Sequence, residues 1–249
     1  LNLPSGGNSA LTFTYGGSYP LTLGASAAGT QTITLNGNLY VNTSGGSAAT
    51  VTIGDPANHL NVNLNNGTRT MTVAPNSLVP SSTLTFLDVI SNGGITKAGN
   101  GILILSGANG YAATTEAHGG VLRANDAAGL PTGSLLKLNG GVFETSANLA
   151  RTGGTAAGNL QISGGTSGFS AKGGAVQVAF GTLLAPTALT WATSPFQPGT
   201  LVLNEITADN TLEFKNAITL GGNRTVNVNA NTATMSGIIT GATGNTFTK

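Results

Sequence analysis

The chain has 249 residues, 7% of them charged where an ordinary globular domain has about 25%, and its net charge is +1. So sparse and even a charge leaves no clustered cations to neutralise phosphates, which excludes nucleic-acid binding of the electrostatic kind; the absence of cysteine excludes disulfides and thiolate metal sites. A hydrophobic fraction of 39% excludes the apolar-poor composition of disordered chains, so the polar surface is built from hydroxyls and amides rather than ions.

In chain order, short alternating segments recur. They begin with Leu11–Tyr15, Leu21–Leu23, Thr32–Leu35 and Thr50–Ile53. Thr83–Phe86, Ile102–Leu105, Leu135–Leu138, Leu201–Leu203 and Thr225–Asn229 follow. Each is closed by Gly, Asn, Asp or Pro, and most are rich in Thr, Val and Ile, which is the pattern of short strands joined by turns. The main helical candidate, Glu116–Ala128, is interrupted by Gly119 and Gly120. No run of about 18 apolar residues occurs, so no membrane-spanning helix is expected. The start at Leu1, without a charged leader, reads as a processed product or a stretch of something longer.

Strand spacing alone permits a sandwich, a barrel or a solenoid, and internal repetition separates them. Asn61-Val62-Asn63-Leu64-Asn65 is echoed by Asn227-Val228-Asn229-Ala230-Asn231, with Arg69-Thr70 near the first and Arg224-Thr225 near the second. Thr-Lys endings follow each, at Thr96-Lys97 and Thr248-Lys249. The expected organisation is 1–97 as the end of one repeat module and 98–249 as one complete module stacked continuously on the first. Units of this kind do not bury their apolar faces alone.

The run Gly93-Gly94-Ile95-Thr96-Lys97-Ala98-Gly99-Asn100-Gly101-Ile102-Leu103-Ile104-Leu105-Ser106-Gly107-Ala108-Asn109-Gly110-Tyr111, continued at Gly120-Val121-Leu122, resembles the autotransporter-associated β-strand repeat. It departs from that pattern after Tyr111, where Ala112-Ala113-Thr114-Thr115-Glu116 replaces a glycine-containing turn. Leu138–Glu144 is similar to a strand found downstream in the same family. The resemblance implies a large exported bacterial protein, extracellular or on the cell surface. Its passenger would be an all-β, right-handed parallel β-helix (β-solenoid) serving as stalk, adhesin or filament. It carries over no catalytic residue and no cofactor.

A solenoid accounts for the composition. Strands pair with those above and below at about 4.8 Å, so like residues stack along the axis. Stacked charges would repel, whereas Asn amides and Thr hydroxyls form ladders. At roughly 20–25 residues per coil, the chain makes on the order of ten coils and a rod of roughly 50 Å.

Candidate chemistry is thin. The acids Asp55, Asp88, Glu116, Asp126, Glu144, Glu205, Asp209 and Glu213 are scattered, and only the last three lie near one another in sequence. A polysaccharide-cleaving β-helix would need a carboxylate pair or a calcium cluster. His59 and His118 occupy turn-like contexts, and neither belongs to a nucleophile motif. Thr-x-Thr pairs from Thr12/Thr14 to Thr83/Thr85 recur at nearly regular intervals, as a flat water-ordering face would require. An aromatic group of Trp191, Phe196, Phe169 and Tyr111 is either a sugar-stacking platform or a plug in a wide coil. Trp191 and Phe196, with Pro195 and Pro198 flanking the latter, are the candidate ligand contacts. No metal and no cofactor is expected. The expected partners are copies of the chain or neighbouring repeats, with glycans as a further class.

Overall fold

A strand that alternates Leu, Ile or Val with Thr or Asn puts one set of side chains into a core and leaves the other wet. The computed structural model describes residues 11–15, 20–26, 28–43, 48–74 and 82–249. Among these residues the alternating segments are strands and no helix forms, so none is long and apolar enough to cross a membrane. The chain divides into two compact units, Leu1–Ser134 and Leu135–Lys249.

In the first unit the strands are β1 (Leu11–Tyr15), β2 (Leu21–Leu23), β3 (Gln31–Thr34), β4 (Leu39–Thr43), β5 (Thr50–Ile53) and β6 (Leu60–Val73). They continue with β7 (Thr83–Phe86), β8 (Ile90–Ala98), β9 (Ile102–Leu105), β10 (Thr115–Ala117) and β11 (Val121–Ala124). One sheet runs β1-β4-β6-β8-β10, with β3 also paired to β6; the other runs β2-β5-β7-β9-β11. The pairings are parallel throughout. From β4 onward, strands that are consecutive in sequence alternate between sheets and meet their partners one coil later, which is a parallel β-solenoid; β3 and β4 both pair with the long strand β6.

Like sits over like. Val51, Leu84, Leu103 and Leu122 form one wholly buried column across β5, β7, β9 and β11. Ile53, Phe86, Leu105 and Ala124 form the next column inward. The outward column beside them starts Thr22, Thr52, Thr85. The helical candidate at Glu116–Ala128 resolves into β10 and β11. Gly120 turns between them at φ +58, where a Cβ would lie 2.4 Å from the Gly101 carbonyl oxygen of the coil below.

The second unit holds β12 (Leu136–Asn139), β13 (Val142–Thr145), β14 (Leu149–Arg151), β15 (Leu160–Gly164), β16 (Thr166–Ala171), β17 (Val176–Phe180) and β18 (Leu189–Thr190). After these come β19 (Thr200–Leu203), β20 (Leu212–Phe214), β21 (Ile218–Leu220), β22 (Arg224–Asn227), β23 (Ala233–Met235), β24 (Ile239–Gly241) and β25 (Phe247–Thr248). They form parallel ladders ordered β12-β15, β13-β16-β19-β22-β25, β14-β17-β20-β23 and β18-β21-β24. Phe143, Phe169 and Leu203 stack inward, and Leu189, Ile218 and Ile239 form a parallel column in another ladder. Thr190, Thr219 and Thr240 stack outward, the last two with their hydroxyls 3.3 Å apart.

Coil length is less uniform than the expected 20–25 residues. Partners in adjacent coils are separated by 19 residues at Ile90 and Asn109, but by 36 at Gln177 and Glu213. Corner loops absorb most of the extra chain, and the β6–β8 and β12–β15 ladders each shift register once, between Asn63 and Gly67 and between Leu138 and Asn139.

Candidate functional site

The chemistry of this fold sits at the coil corners, where the backbone leaves one ladder and has not entered the next. Each corner strands N–H and C=O groups that must find partners. Asparagine supplies them. In the first unit the Asn38 Oδ1 accepts from Thr70 N at 2.9 Å and the Asn61 Oδ1 accepts from Val89 N at 3.2 Å. Asn109 reaches both ways: its Oδ1 accepts from Ile90 N and its Nδ2 donates to the Gly129 carbonyl, each at 2.7 Å.

The second unit repeats the device with fully buried side chains. Asn204 accepts from Ala171 N at 2.9 Å and donates to the carbonyls of Asn210 and Thr232. Asn216 accepts from Phe180 N and donates to the carbonyls of Phe180 and Thr187. An amide suits this place because it offers an acceptor and two donors without a charge to desolvate. Asparagine also tolerates the left-handed corner itself, as at Asn65, Asn92, Asn204 and Asn231. The two echoed pentads thus end alike, at Asn65 (φ 50) and Asn231 (φ 52).

One corner uses a charge instead. Lys97 lies on β8 two residues after Ile95, and alternation carries both side chains inward. Its residue surface is 0% exposed, with Met71 and Ala117 as its in-register neighbours on the flanking strands. Its Nζ donates to the carbonyls of Ala98 (2.8 Å), Gly99 (2.7 Å) and Gly119 (3.0 Å). The ammonium therefore ties the turn of its own coil to the glycine turn of the next. Burial pushes its pKa from 10.5 down to about 7, while the three carbonyls favour the charged form. The Thr-Lys pairing was visible in the sequence as a module ending; its inward direction follows from the Ile95-Thr96-Lys97 alternation.

The aromatic group lies in the core. Trp191 is 1% exposed and Phe196 is 0% exposed, their ring centroids 5.2 Å apart in an edge-to-face contact. Trp191 Nε1 donates to the Pro198 carbonyl at 2.7 Å, and the Arg224 guanidinium sits 5.9 Å from its ring centroid. Phe196 continues into a cluster with Phe180 and Phe214, and Phe169 joins the same cluster. Tyr111 is buried in the other unit, its hydroxyl 2.9 Å from Thr115 Oγ1. In this structure neither Trp191 nor Phe196 turns a ring face to solvent where a sugar could stack; both fill a wide coil.

The acids do not converge. Asp209 pairs with Lys172 at 3.1 Å, Glu205 accepts from Asn229 Nδ2 at 3.0 Å, and Glu213 accepts from Gln177 Nε2 at 2.7 Å. Glu144 is fully buried and accepts from Ser170 Oγ and Thr207 Oγ1, which ties the 204–209 loop across β13 and β16. His118 lies 2.9 Å from Glu116. His59, 61% exposed, lies 2.8 Å from Asp88. Burial raises the Asp88 pKa, but His59 and the backbone N–H groups of Asp55 and Leu60 outweigh it and hold the carboxyl below its ordinary range. Among the described residues, no group of three or more His, Cys, Asp or Glu is placed to hold a metal ion. The Thr-x-Thr pairs divide between sheets: only Thr50/Thr52 and Thr83/Thr85 stack in register, and Ile102 and Ile104 follow them. The regular water-ordering face that their spacing left open is therefore absent among the described residues, and outward-facing β-propensity accounts for the pairs.

No curated protein and no solved structure matches the chain. The family model described as Passenger-associated-transport-repeat matches residues 95–124, a span that holds the Lys97 cage, Asn109, Tyr111 and the Gly120 turn. The chain is a parallel β-solenoid whose residues 95–124 match the passenger-associated-transport-repeat model, within the stretch that resembles the autotransporter-associated β-strand repeat.

Proposed function

We propose that this chain is a structural repeat of an exported bacterial surface protein, and that it forms a stiff extracellular rod, stalk or filament by coil stacking and head-to-tail association. The observation that carries this reading is the combination, in each unit, of parallel ladders, like-over-like columns and corner amides that bind one coil to the next. The ladder and column contacts lie between neighbouring coils, so stability adds coil by coil along the ladder direction. The passenger-associated repeat at 95–124 supports an exported location. Sparse charge supports association between copies, since little electrostatic repulsion opposes it. Strands β23, β24 and β25 each have one hydrogen-bonded neighbour among the described residues, and a further coil would extend the same ladders. The modules 1–97 and 98–249 are the units we assign to the repeat.

The proposed role is mechanical and involves no catalysis. Electron microscopy of the purified chain tests it: uniform filaments with an axial repeat of one or two modules are expected. Isolated monomers at all concentrations would overturn head-to-tail association. Release of reducing sugars from polysaccharides by the purified chain would overturn the non-catalytic role.

A further inference from the structure

We propose that the Asp88 carboxylate is an acid-operated latch: it holds the corner at residues 54–60 shut against the next coil, and releases it when Asp88 and His59 both carry protons. The corner joins β5 to β6 and reads Gly54-Asp55-Pro56-Ala57-Asn58-His59. Behind it, the His59 carbonyl accepts from Gln31 N of the preceding coil at 2.8 Å. Ahead of it stands Asp88, at the corner between β7 and β8. Its Oδ2 accepts from Asp55 N at 2.9 Å and from Leu60 N at 2.8 Å, the two ends of the corner, and its Oδ1 lies 2.8 Å from His59 Nδ1. Asp55 turns its own Oδ1 inward onto Ala57 N and Asn58 N, so the corner moves as one piece. Gly54 lets the carboxylate in: a Cβ there would stand 3.0 Å from Asp88 Oδ2 and 2.7 Å from Leu87 Cβ.

The direction of the hydrogen bonds makes the latch sensitive to acid. An ionised carboxylate accepts at both oxygens, whereas a protonated one turns an oxygen into a donor. The backbone N–H groups of Asp55 and Leu60 cannot reverse, and a protonated His59 donates from both ring nitrogens. With both protons in place, the new O–H meets a donor whichever oxygen carries it, and a side chain only 8% exposed has little water to turn to. Glu144 makes the contrast. Its partners Ser170 and Thr207 are hydroxyls, which rotate to accept, so those contacts survive protonation.

The titratable groups facing Asp88 are Asp55 and His59, both on the preceding coil. The following coil meets it through Gly107, in the stretch Ser106–Asn109, which has no titratable side chain. The nearest charged residue along its own chain, Lys97, is spent on its three carbonyls. Burial raises the Asp88 pKa, and the His59 and backbone donors outweigh it and hold the carboxyl below 3.8. The stability that the latch supplies is therefore complete above 3.8 and is lost as pH falls through the lower, folded value. The chain has only 8 Asp and Glu residues, so acid alters few contacts, and ladders held by neutral backbone groups persist while the corner opens.

The test is an NMR titration of the full 249-residue chain from neutral pH into acid. The Asp88 carboxyl and the amides of Asp55 and Leu60 are expected to titrate together, with one midpoint below 3.8, while the amides of β5 and β7 keep their shifts. His59→Gln removes the imidazolium and is expected to move that midpoint upward. Asp88→Asn puts an amide donor among the donors, and at neutral pH hydrogen exchange at Asp55 and Leu60 should rise about tenfold or more with β5 and β7 still protected. If Asp88→Asn does not fold, His59→Gln decides alone. Three results would each overturn the latch: Asp55 and Leu60 amides that do not follow the Asp88 carboxyl, a midpoint indifferent to His59→Gln, or a corner that opens only when the whole first unit unfolds. Filament formation is scored separately and does not bear on it.

Discussion

Replacing Lys97 by Met keeps a long flexible chain in the same space and removes all three donors. The Ala98, Gly99 and Gly119 carbonyls then lose their charged partner. At about 1 kcal/mol for each net hydrogen bond the cage supplies about 3 kcal/mol, which offsets the cost of burying the ammonium, so the variant's loss is below that figure and smallest near pH 7. The pH dependence adds a second signature. The folded lysine has its pKa lowered from 10.5 to about 7, so between those values the unfolded chain binds the extra proton. Stability attributable to this residue therefore rises with pH above about 7 and levels off above the unfolded value. From pH 7 to pH 9 the gain is about 2 kcal/mol. The methionine variant lacks that slope, and subtracting one titration from the other removes the contribution of every group that both proteins share. Denaturant unfolding followed by far-ultraviolet circular dichroism measures both effects. Hydrogen exchange at β8 to β11 reports whether the loss is local to the two coils that the ammonium joins. A variant within about 0.5 kcal/mol of wild type at both pH values, with no pH-dependent difference, would refute the cage as a source of stability.

Asn216→Ala strips three hydrogen bonds from a fully buried corner and is expected to cost about 3 kcal/mol by denaturant unfolding, whereas Asn229→Ala at an exposed contact stays within about 0.5 kcal/mol. Phe196→Ala should destabilise by about 3–5 kcal/mol, as a core cavity does, while Leu184→Ala at a fully exposed position should be neutral in the same assay. Gly168→Ala places a methyl 1.8 Å from the Val202 carbonyl oxygen of the next coil and should open the β16–β19 ladder, seen as lost exchange protection there. Gly110→Ala, with nothing within 4 Å of the added methyl, is the control.

Much of this architecture is legible in the sequence. Thr50–Ile53 and Thr83–Phe86 alternate with a period of two, so their faces are determined before any tertiary contact forms; Ile102–Leu105 is apolar at every position and takes its facing from the strands it stacks on. The motif from Gly93 to Tyr111 marks the repeat for the same reason, since corner geometry demands glycine and asparagine at fixed places. Tertiary structure alone decided what depends on the next coil. Trp191 and Phe196 occupy a Pro-flanked stretch that locally resembles an exposed loop, yet they are buried because the coil there is wide enough to need filling. Glu205, Asp209 and Glu213 are near in sequence and lie on one coil, yet they take separate partners: Asn229 on the next coil, and Lys172 and Gln177 on the preceding one. The Gln177–Glu213 hydrogen bond joins residues 36 positions apart, and coil length, which the corners leave free to vary, sets which residues meet. Local alternation fixes which way a side chain points; only the number of residues in each coil fixes what it points beside.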